Sequence, residues 1–494
     1  MTNCVYAGTF TGSGSRASPS VACPGDLITF SAWVVDSGGT VTIMNTDGDC
    51  NVTTTTNSVS ATPQWTWSVN GCSDSSRGQV CSVAFELPNP GTYTCNFTAT
   101  VANCPDNPIQ MNLSASATVV GWVVSNVSFT GSSEFNVLQD NGSGPYSAPH
   151  WTPTNSSPVL YVANTTGAVT AVFAVAAPTN FACSQLYVRG DGSGGLNIPA
   201  TTCTVAGVTA TLTANFAAPF ANQVGFLNPL TINWKCSGDG INFYDAGSST
   251  NPVYVTLTNP ATANLFRTVV HLACSNPGAT TSNTAVANTW ALFAGRNVTT
   301  WGGTNLIYYQ AGISWANNVT NVAGLLSTGN GQCNAWRELL ESAWLANGVN
   351  SEMATVSTVV NPGSRIFLVK NWVFGTPTLT NDPPFNYLFL LNASNGSMVG
   401  VGNYGDLQNG SGAPGQNSAT PAEKAFGYHF IQKLNNTYYD PSYGTNYTGA
   451  ADFQTTAVAG YGEINPDNPN TNFPGMMELG VTQVTNTVVI KIVP

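Results

Sequence analysis

The side chains best suited to nucleophilic chemistry in this 494-residue chain are its 12 cysteines, and the groups best suited to move a proton for them are its 3 histidines. Seven cysteines lie between Cys4 and Cys104 and four between Cys183 and Cys274, which leaves Cys333 alone. Cys333 follows Gly331-Gln332 and opens a run in which Trp336, Leu339, Leu340, Ala343 and Trp344 recur at helical spacing, with Gly348 where a C-cap belongs. A helix N-terminus presents unsatisfied N–H groups and about half a positive charge, which favours a thiolate over a thiol. Such a nucleophile needs a base. His150 falls in a Pro-rich loop, His271 reads as a strand residue in Thr268-Val-Val-His-Leu272, and His429 lies in a predicted strand beyond Cys333. Phe430 to Leu434, Asn435-Asn436 and Thr437 to Asp440 read as strand, turn and strand. A turn at Leu434-Asn435 sets His429 opposite Asp440; a turn at Asn435-Asn436 pairs Asp440 with Ile431, diagonal to His429. Either register puts imidazole and carboxylate on one face, whereas a three-residue turn would separate them. A carboxylate there fixes the tautomer of the ring and stabilises its protonated form. Taken singly, Cys333 could equally form a disulfide, for instance with Cys274, and His429 could be structural. The three together point to a nucleophilic cysteine with a base and an orienting carboxylate.

Gly331-Gln332-Cys333-Asn334-Ala335-Trp336, the helix to Gly348-Val349, the strand with His429, and Tyr438-Tyr439-Asp440-Pro441-Ser442 resemble the transglutaminase-like superfamily of the papain-type fold. The chain order of Cys, His and Asp-Pro matches as well, over about residues 265 to 494. The resemblance implies a nucleophilic Cys333, a base in His429 and an orienting Asp440. It also implies a protein or peptide substrate held as a thioester, resolved by an amine in cross-linking members and by water in peptidase members. A side chain would assist the Cys333 amide in binding the oxyanion; Gln332, Trp301 and Trp315 are the candidates.

Long β-rich segments precede and position this apparatus. In Thr92 to Val101, Tyr93, Cys95, Phe97, Ala99 and Val101 alternate with polar residues, which predicts a half-buried strand after the Pro90-Gly91 turn. Leu27 to Val35 and Trp65 to Trp67 are further strand candidates. Tyr93 sits two residues before Cys95, the tyrosine-corner spacing, and the first ~120 residues resemble immunoglobulin-like sandwiches in their bacterial forms. Residues 121–262 repeat the texture, with strands predicted over Val208 to Phe216 and Val253 to Leu257. The glycine run Gly190 to Gly195 reads as a hairpin turn, because no helix follows to hold a phosphate. Past residue ~265, helical patterns at Ala285 to Gly295 and Cys333 to Asn347 precede strands at Arg365 to Val373, Tyr387 to Leu391, Tyr428 to Leu434 and Val484 to Val493. The expected fold is multidomain and β-rich: two immunoglobulin-like β-sandwiches (1–120 and 121–262) followed by an α+β transglutaminase/papain-like domain (263–494). Gly405 to Ala419 reads as a mobile loop beside the cleft.

Only 7% of residues are charged, against about 25% in ordinary soluble proteins. With 12 Lys+Arg against 23 Asp+Glu, nucleic acid is not an expected partner. The longest apolar run, Val169 to Ala177, contains Thr170 and is far short of the ~20 residues a membrane span needs. Clustered cysteines in such a chain suggest disulfides and an oxidising setting, so the expected location is secreted or cell-surface, in a bacterium, with Met1-Thr2-Asn3-Cys4 read as a mature or recombinant start. A sparsely charged surface also suits dense lateral packing. The rival expectation is therefore a structural or adhesive surface or filament subunit that uses the fold as scaffold and self-associates; a cysteine peptidase is the second alternative. Five lysines (Lys235, Lys370, Lys424, Lys433, Lys491) argue against extensive self-cross-linking through amines. No cofactor is expected, save that Asp47 and Asp49, in the oxygen-rich stretch Asn45 to Asn51, could hold a structural calcium; the stretch departs from EF-hand order, and a plain polar loop is the preferred reading.

Overall fold

The computed structural model describes residues 2–24, 26–46, 52–59, 64–69, 72–77, 80–87, 89–101, 109–131, 134–176, 183, 185–309, 319–359, 365–370, 372–377, 387–392, 398–399, 407–409, 413–418, 425–464, 476–484 and 489–494. Among the described residues the chain is β-rich, with 5 short α-helices. Among the described residues no helix is long and apolar enough to cross a membrane.

Period-two alternation builds two facing sheets at the N-terminus. One joins Thr2–Ser18, Leu27–Thr46, Val52–Val59 and Val80–Glu86; the other runs Val21–Ala22, Ile109–Val119, Gly91–Val101, Gln64–Val69, Cys72–Arg77. Ile28, Phe30 and Ala32 of the first sheet meet Trp65, Cys95, Phe97 and Ala99 of the second in one buried core. Alternate residues of each strand must face inward for two sheets to pack this way. Outside that core the Tyr93 hydroxyl donates to the Asn89 carbonyl at 2.9 Å.

The next two sheets pack around Trp122, Phe129, Phe173 and Trp234. The six-stranded one runs Asn155–Ser156, Trp151–Thr152, Val123–Thr130, Ala168–Ala174, Thr209–Asn215, Thr204–Ala206, and the five-stranded one Val159–Val162, Tyr244–Thr256, Gly225–Ser237, Tyr187–Gly192, Ile198–Thr202. The glycine run lies in the hairpin between the last two strands, as a turn rather than a phosphate loop. A disulfide between Cys23 and Cys183 ties the N-terminal sheets to these across 160 residues.

Beyond Thr256 the first helices appear: α1 (Arg267–Cys274), α2 (Ser282–Ala294), α3 (Val322–Thr328), α4 (Cys333–Ala346) and, late in the chain, α5 (Ala450–Ala457). They accompany a five-stranded sheet ordered Thr445–Tyr447, Thr437–Asp440, Tyr428–Leu434, Glu352–Thr358, Ile490–Val493, and a six-stranded sheet that includes Tyr387–Asn392, Met476–Gln483, Val458–Ile464 and Arg365–Val369. One core runs through α1, α2, α3 and α4 to Val356 and Ile431 of the five-stranded sheet, and reaches Val137, Leu160, Val224 and Tyr254 of the preceding unit.

Several local expectations are corrected. His271 lies in α1, not in a strand; every other residue of that helix is buried, so its apolar pattern has no stripe to betray a helical period. Helix α2 begins three residues ahead of Ala285 because Thr281 caps it, its hydroxyl accepting from the Thr284 amide. The strand expected at Arg365 to Val373 is two, Arg365–Val369 and Trp372–Phe374, and the one expected at Val484 to Val493 is Ile490–Val493, with Met476–Gln483 ahead of it. Trp315, Asp47 and Asp49 lie outside the described residues.

Candidate active site

Cys333 is the first residue of α4, and the helix is anchored at just that end. The Gln332 amide donates to the Val319 carbonyl at 2.8 Å, the Asn334 side chain donates to the Thr320 carbonyl at 2.8 Å, and the Val322 amide donates to the Glu338 carboxylate at 3.0 Å. Along the inner face Trp336, Leu339, Leu340 and Ala343 are buried, with Trp344 beside them; both tryptophans serve as core. Gly348 adopts φ 73° just past the helix, the left-handed turn that glycine tolerates without a Cβ clash. Cys333 forms no disulfide, and neither does Cys274, whose thiol faces the Val255 carbonyl.

Helix α4 packs across the strand Tyr428–Leu434, whose alternation turns His429 and Ile431 inward and Tyr428 out. The hairpin turns at Asn435-Asn436: Leu434 pairs with Thr437 and Gln432 with Tyr439, so Asp440 stands diagonal to His429, in the second of the two registers the sequence permits. Asn435 takes φ 55°, as the first residue of such a tight turn requires. Across this diagonal His429 Nε2 and Asp440 Oδ2 are 2.8 Å apart, with the two side chains 0% and 1% exposed. The residues after the aspartate aim it: Oδ1 accepts from the amides of Ser442 at 3.1 Å and Tyr443 at 3.4 Å, which leaves Oδ2 for the imidazole. Phe426 and Tyr443 flank the ring at 5.0 and 5.9 Å between centroids.

The electrostatics follow from that geometry. Burial opposes charging the His429 ring, but the charge and hydrogen bond of Asp440, joined by Cys333, outweigh it and raise the pKa from 6.5 to about 10. Nδ1, the nitrogen turned from Asp440, has no partner at standard hydrogen-bond geometry among the described residues. The Cys333 contact is therefore looser than an ideal hydrogen bond, yet close enough to favour the protonated ring. Imidazolium and helix N-terminus both bring positive charge to the sulfur.

Two further neighbours escape a reading of the sequence. Tyr308 is buried, in a short strand Ile307–Tyr308 paired in parallel with Asn330–Gly331. Gln416 is 0% exposed; its side chain donates to the Phe293 and Pro441 carbonyls at 2.8 and 2.7 Å, and its backbone bonds to Ser442 and Tyr308. Gln416 thus corrects the expectation of a mobile loop over Gly405 to Ala419: Leu407–Asn409 form a strand paired with Trp372–Phe374, and within residues 413–418 Gln416 stitches the segment to α2 and to the Asp-Pro turn. A lone glutamine in a Gly/Asn/Ser-rich stretch carries no periodicity by which burial could be foreseen. Of the oxyanion candidates, Gln332 precedes the nucleophile as the N-cap of α4 but makes no side-chain capping bond. Trp301 is 42% exposed, and its ring lies over the Arg267 guanidinium, 3.2 Å from the centroid; its described contacts are with α1 rather than with Cys333. Among the described residues no cluster of three or more His, Cys, Asp or Glu could hold a metal ion.

No family model and no curated protein matches this sequence. Among solved structures, Salmonella alpha-2-macroglobulin (mutant Y1175G) aligns at 11% identity and a TM-score of 0.16, over 51% of this chain and 17% of that one. Domains 4–9 of the surface layer protein SbsC align at 11% identity and a TM-score of 0.13, over 97% of this chain and 72% of that one. The chain thus spans about a sixth of the first structure's length, and likenesses this faint do not bear on function.

Proposed function

We propose that residues 263–494 form a transglutaminase-like, papain-type cysteine acyl-transfer domain acting on amide or peptide bonds, carried behind two immunoglobulin-like sandwiches on a secreted or cell-surface bacterial protein. The supporting observation is the 2.8 Å contact between buried His429 and Asp440, together with the interaction of Cys333 with the same ring. In this reading the sulfur attacks a substrate carbonyl, the imidazolium of His429 protonates the departing amine, and a thioester remains on Cys333. An incoming amine or water, deprotonated by the now neutral ring, then releases the acyl group. Asp440 keeps the ring oriented and its charge balanced throughout. With five lysines in the chain, extensive self-cross-linking through amines is not part of this reading.

Burial supports a second reading. Cys333, His429 and Asp440 are 4%, 0% and 1% exposed, an arrangement a structural surface subunit could also keep, and a 7% charged composition suits close packing between copies. One experiment separates the two. Folded protein is incubated with a fluorescent primary amine and a glutamine-containing acceptor, peptide hydrolysis is followed in parallel, and Cys333→Ala is the control. Amine incorporation lost in the variant supports a transferase, and hydrolysis alone a peptidase. Absence of both, with Cys333 unlabelled by iodoacetamide in the folded protein, overturns the enzymatic reading.

A further inference from the structure

We propose that the Tyr308 hydroxyl is the side-chain oxyanion donor of this site, acting with the backbone N–H of Cys333. The inference rests on the acyl-transfer reading above and assigns a residue in place of the candidates Gln332, Trp301 and Trp315.

The fold delivers Tyr308 to the nucleophile through the backbone. Tyr308 pairs with Gly331, two residues before Cys333. Gly331 is itself packed tightly against the first turn of α4, where a Cβ would lie 3.0 Å from the Ala335 side chain. On its other side the Tyr308 amide donates to the Gln416 carbonyl at 3.0 Å. The ring packs edge-on against Tyr443, 5.3 Å away, and Tyr443 in turn lies against His429. The ring is 0% exposed, and its hydroxyl has no hydrogen-bond partner among the described residues. A buried hydroxyl left unpaired is costly and uncommon; here it lies within electrostatic reach of both Cys333 and Asp440. Burial, with those neighbours, pushes its pKa well above the ordinary phenol value, so the group stays an O–H donor. The Cys333 amide is the second donor: it belongs to the first turn of α4, where N–H groups have no intrahelical partner, and among the described residues it bonds to no backbone carbonyl outside the helix.

In the reaction, the C–S bond forms as the carbonyl π pair moves onto oxygen, and that oxygen accepts hydrogen bonds from the Tyr308 O–H and the Cys333 N–H. Collapse restores the C=O bond and breaks the C–N bond, and the amine leaves with the proton from His429. Neither donor gives up its own proton, and no external oxidant or reductant is involved.

Tyr308→Phe tests this by comparing two reactions of the same sulfur in the full chain. Alkylation by iodoacetamide passes through no oxyanion; acylation by p-nitrophenyl acetate does. The variant is expected to acylate about 10²- to 10³-fold more slowly, as removal of one oxyanion donor does elsewhere, with its alkylation rate and pH profile unchanged and its Tm equal to or above that of the unaltered protein. Equal slowing of both reactions would make Tyr308 a residue that positions the sulfur and overturn the proposal, as would unchanged acylation or a Tm lowered by several degrees. If the unaltered folded protein neither alkylates nor acylates at Cys333, the acyl-transfer reading fails first and takes the oxyanion assignment with it, a result distinct from any defect of the variant alone.

Discussion

Two buried histidines, one in each of two differently built parts of the chain, show what a carboxylate does to an imidazole. His150, in the second β unit, is 6% exposed; its Nδ1 accepts from the Phe129 amide at 3.0 Å, and Glu134 stands off at 3.9 Å. Burial lowers the His150 pKa and raises that of Glu134, so both are driven toward their neutral forms. His429 is more deeply buried, yet its pKa rises to about 10. Burial acts in the same direction on both rings. What differs is a carboxylate at 2.8 Å whose other oxygen is already held by two backbone amides. An imidazole that serves the core needs only to be satisfied; one that is to hand a proton to a leaving group must be kept charged, and that takes a partner with its own positioning bonds.

Removing the carboxylate should erase the difference. Asp440→Asn leaves the size of the side chain intact but makes His429 resemble His150. Its titration midpoint, followed by the imidazole C2 proton in NMR, is expected to fall from about 10 toward or below its ordinary value. Acyl transfer should fall roughly 10³- to 10⁴-fold, since the ring loses the partner that fixes its tautomer. Asp440→Ala should in addition destabilise the fold by about 3–5 kcal/mol, the usual cost of breaking a buried ion pair. A His429 midpoint unmoved in Asp440→Asn would show that Asp440 is not what sets it.

The next effect is on stability, and its sign differs between the rings. For His429 the folded pKa lies above the unfolded value near 6.5. Its stabilising contribution is therefore complete below about pH 6.5 and lost as pH rises through about 10. For His150 the folded pKa is depressed, so its contribution is present above about pH 6.5 and lost on acidification. Melting curves of the unaltered protein and of His429→Gln should converge as pH rises toward about 10, while His150→Gln should lose part of the acid-side fall in Tm. A His429→Gln gap that stays constant across that range would mean the ring is not charged in the fold.

How far this was legible from sequence varied with the range of the forces involved. Local rules placed α4 and the strand Tyr428–Leu434 nearly to the residue, because apolar period and capping residues are written in adjacent positions. The diagonal of His429 and Asp440 was reachable because a two-residue turn limits a hairpin to a few registers. His271 was misread since a helix buried on nearly every side has no polar face. Gln416 and Tyr308 were invisible for a different reason: their partners Phe293, Pro441 and Gly331 come from remote segments, and neither composition nor spacing records such meetings. Trp301 shows the converse, a residue type suited to an oxyanion site whose ring is engaged elsewhere.

That engagement yields the smallest expected effect. Trp301 covers the Arg267 guanidinium at 3.2 Å from its ring centroid, on the helix α1 that packs against α4 within the shared core. The tryptophan is 42% exposed, so removing it opens no deep cavity and forfeits chiefly the cation–π contact, about 0.5–2 kcal/mol. Trp301→Ala should therefore lower stability by that amount in urea unfolding and leave acylation of Cys333 within about twofold, since oxyanion donors reveal themselves by losses of about 10²-fold or more. A loss of that size in Trp301→Ala, with Tyr308→Phe unaffected, would move the oxyanion site to the mouth of α1 and make the deep burial of Tyr308 a matter of packing alone.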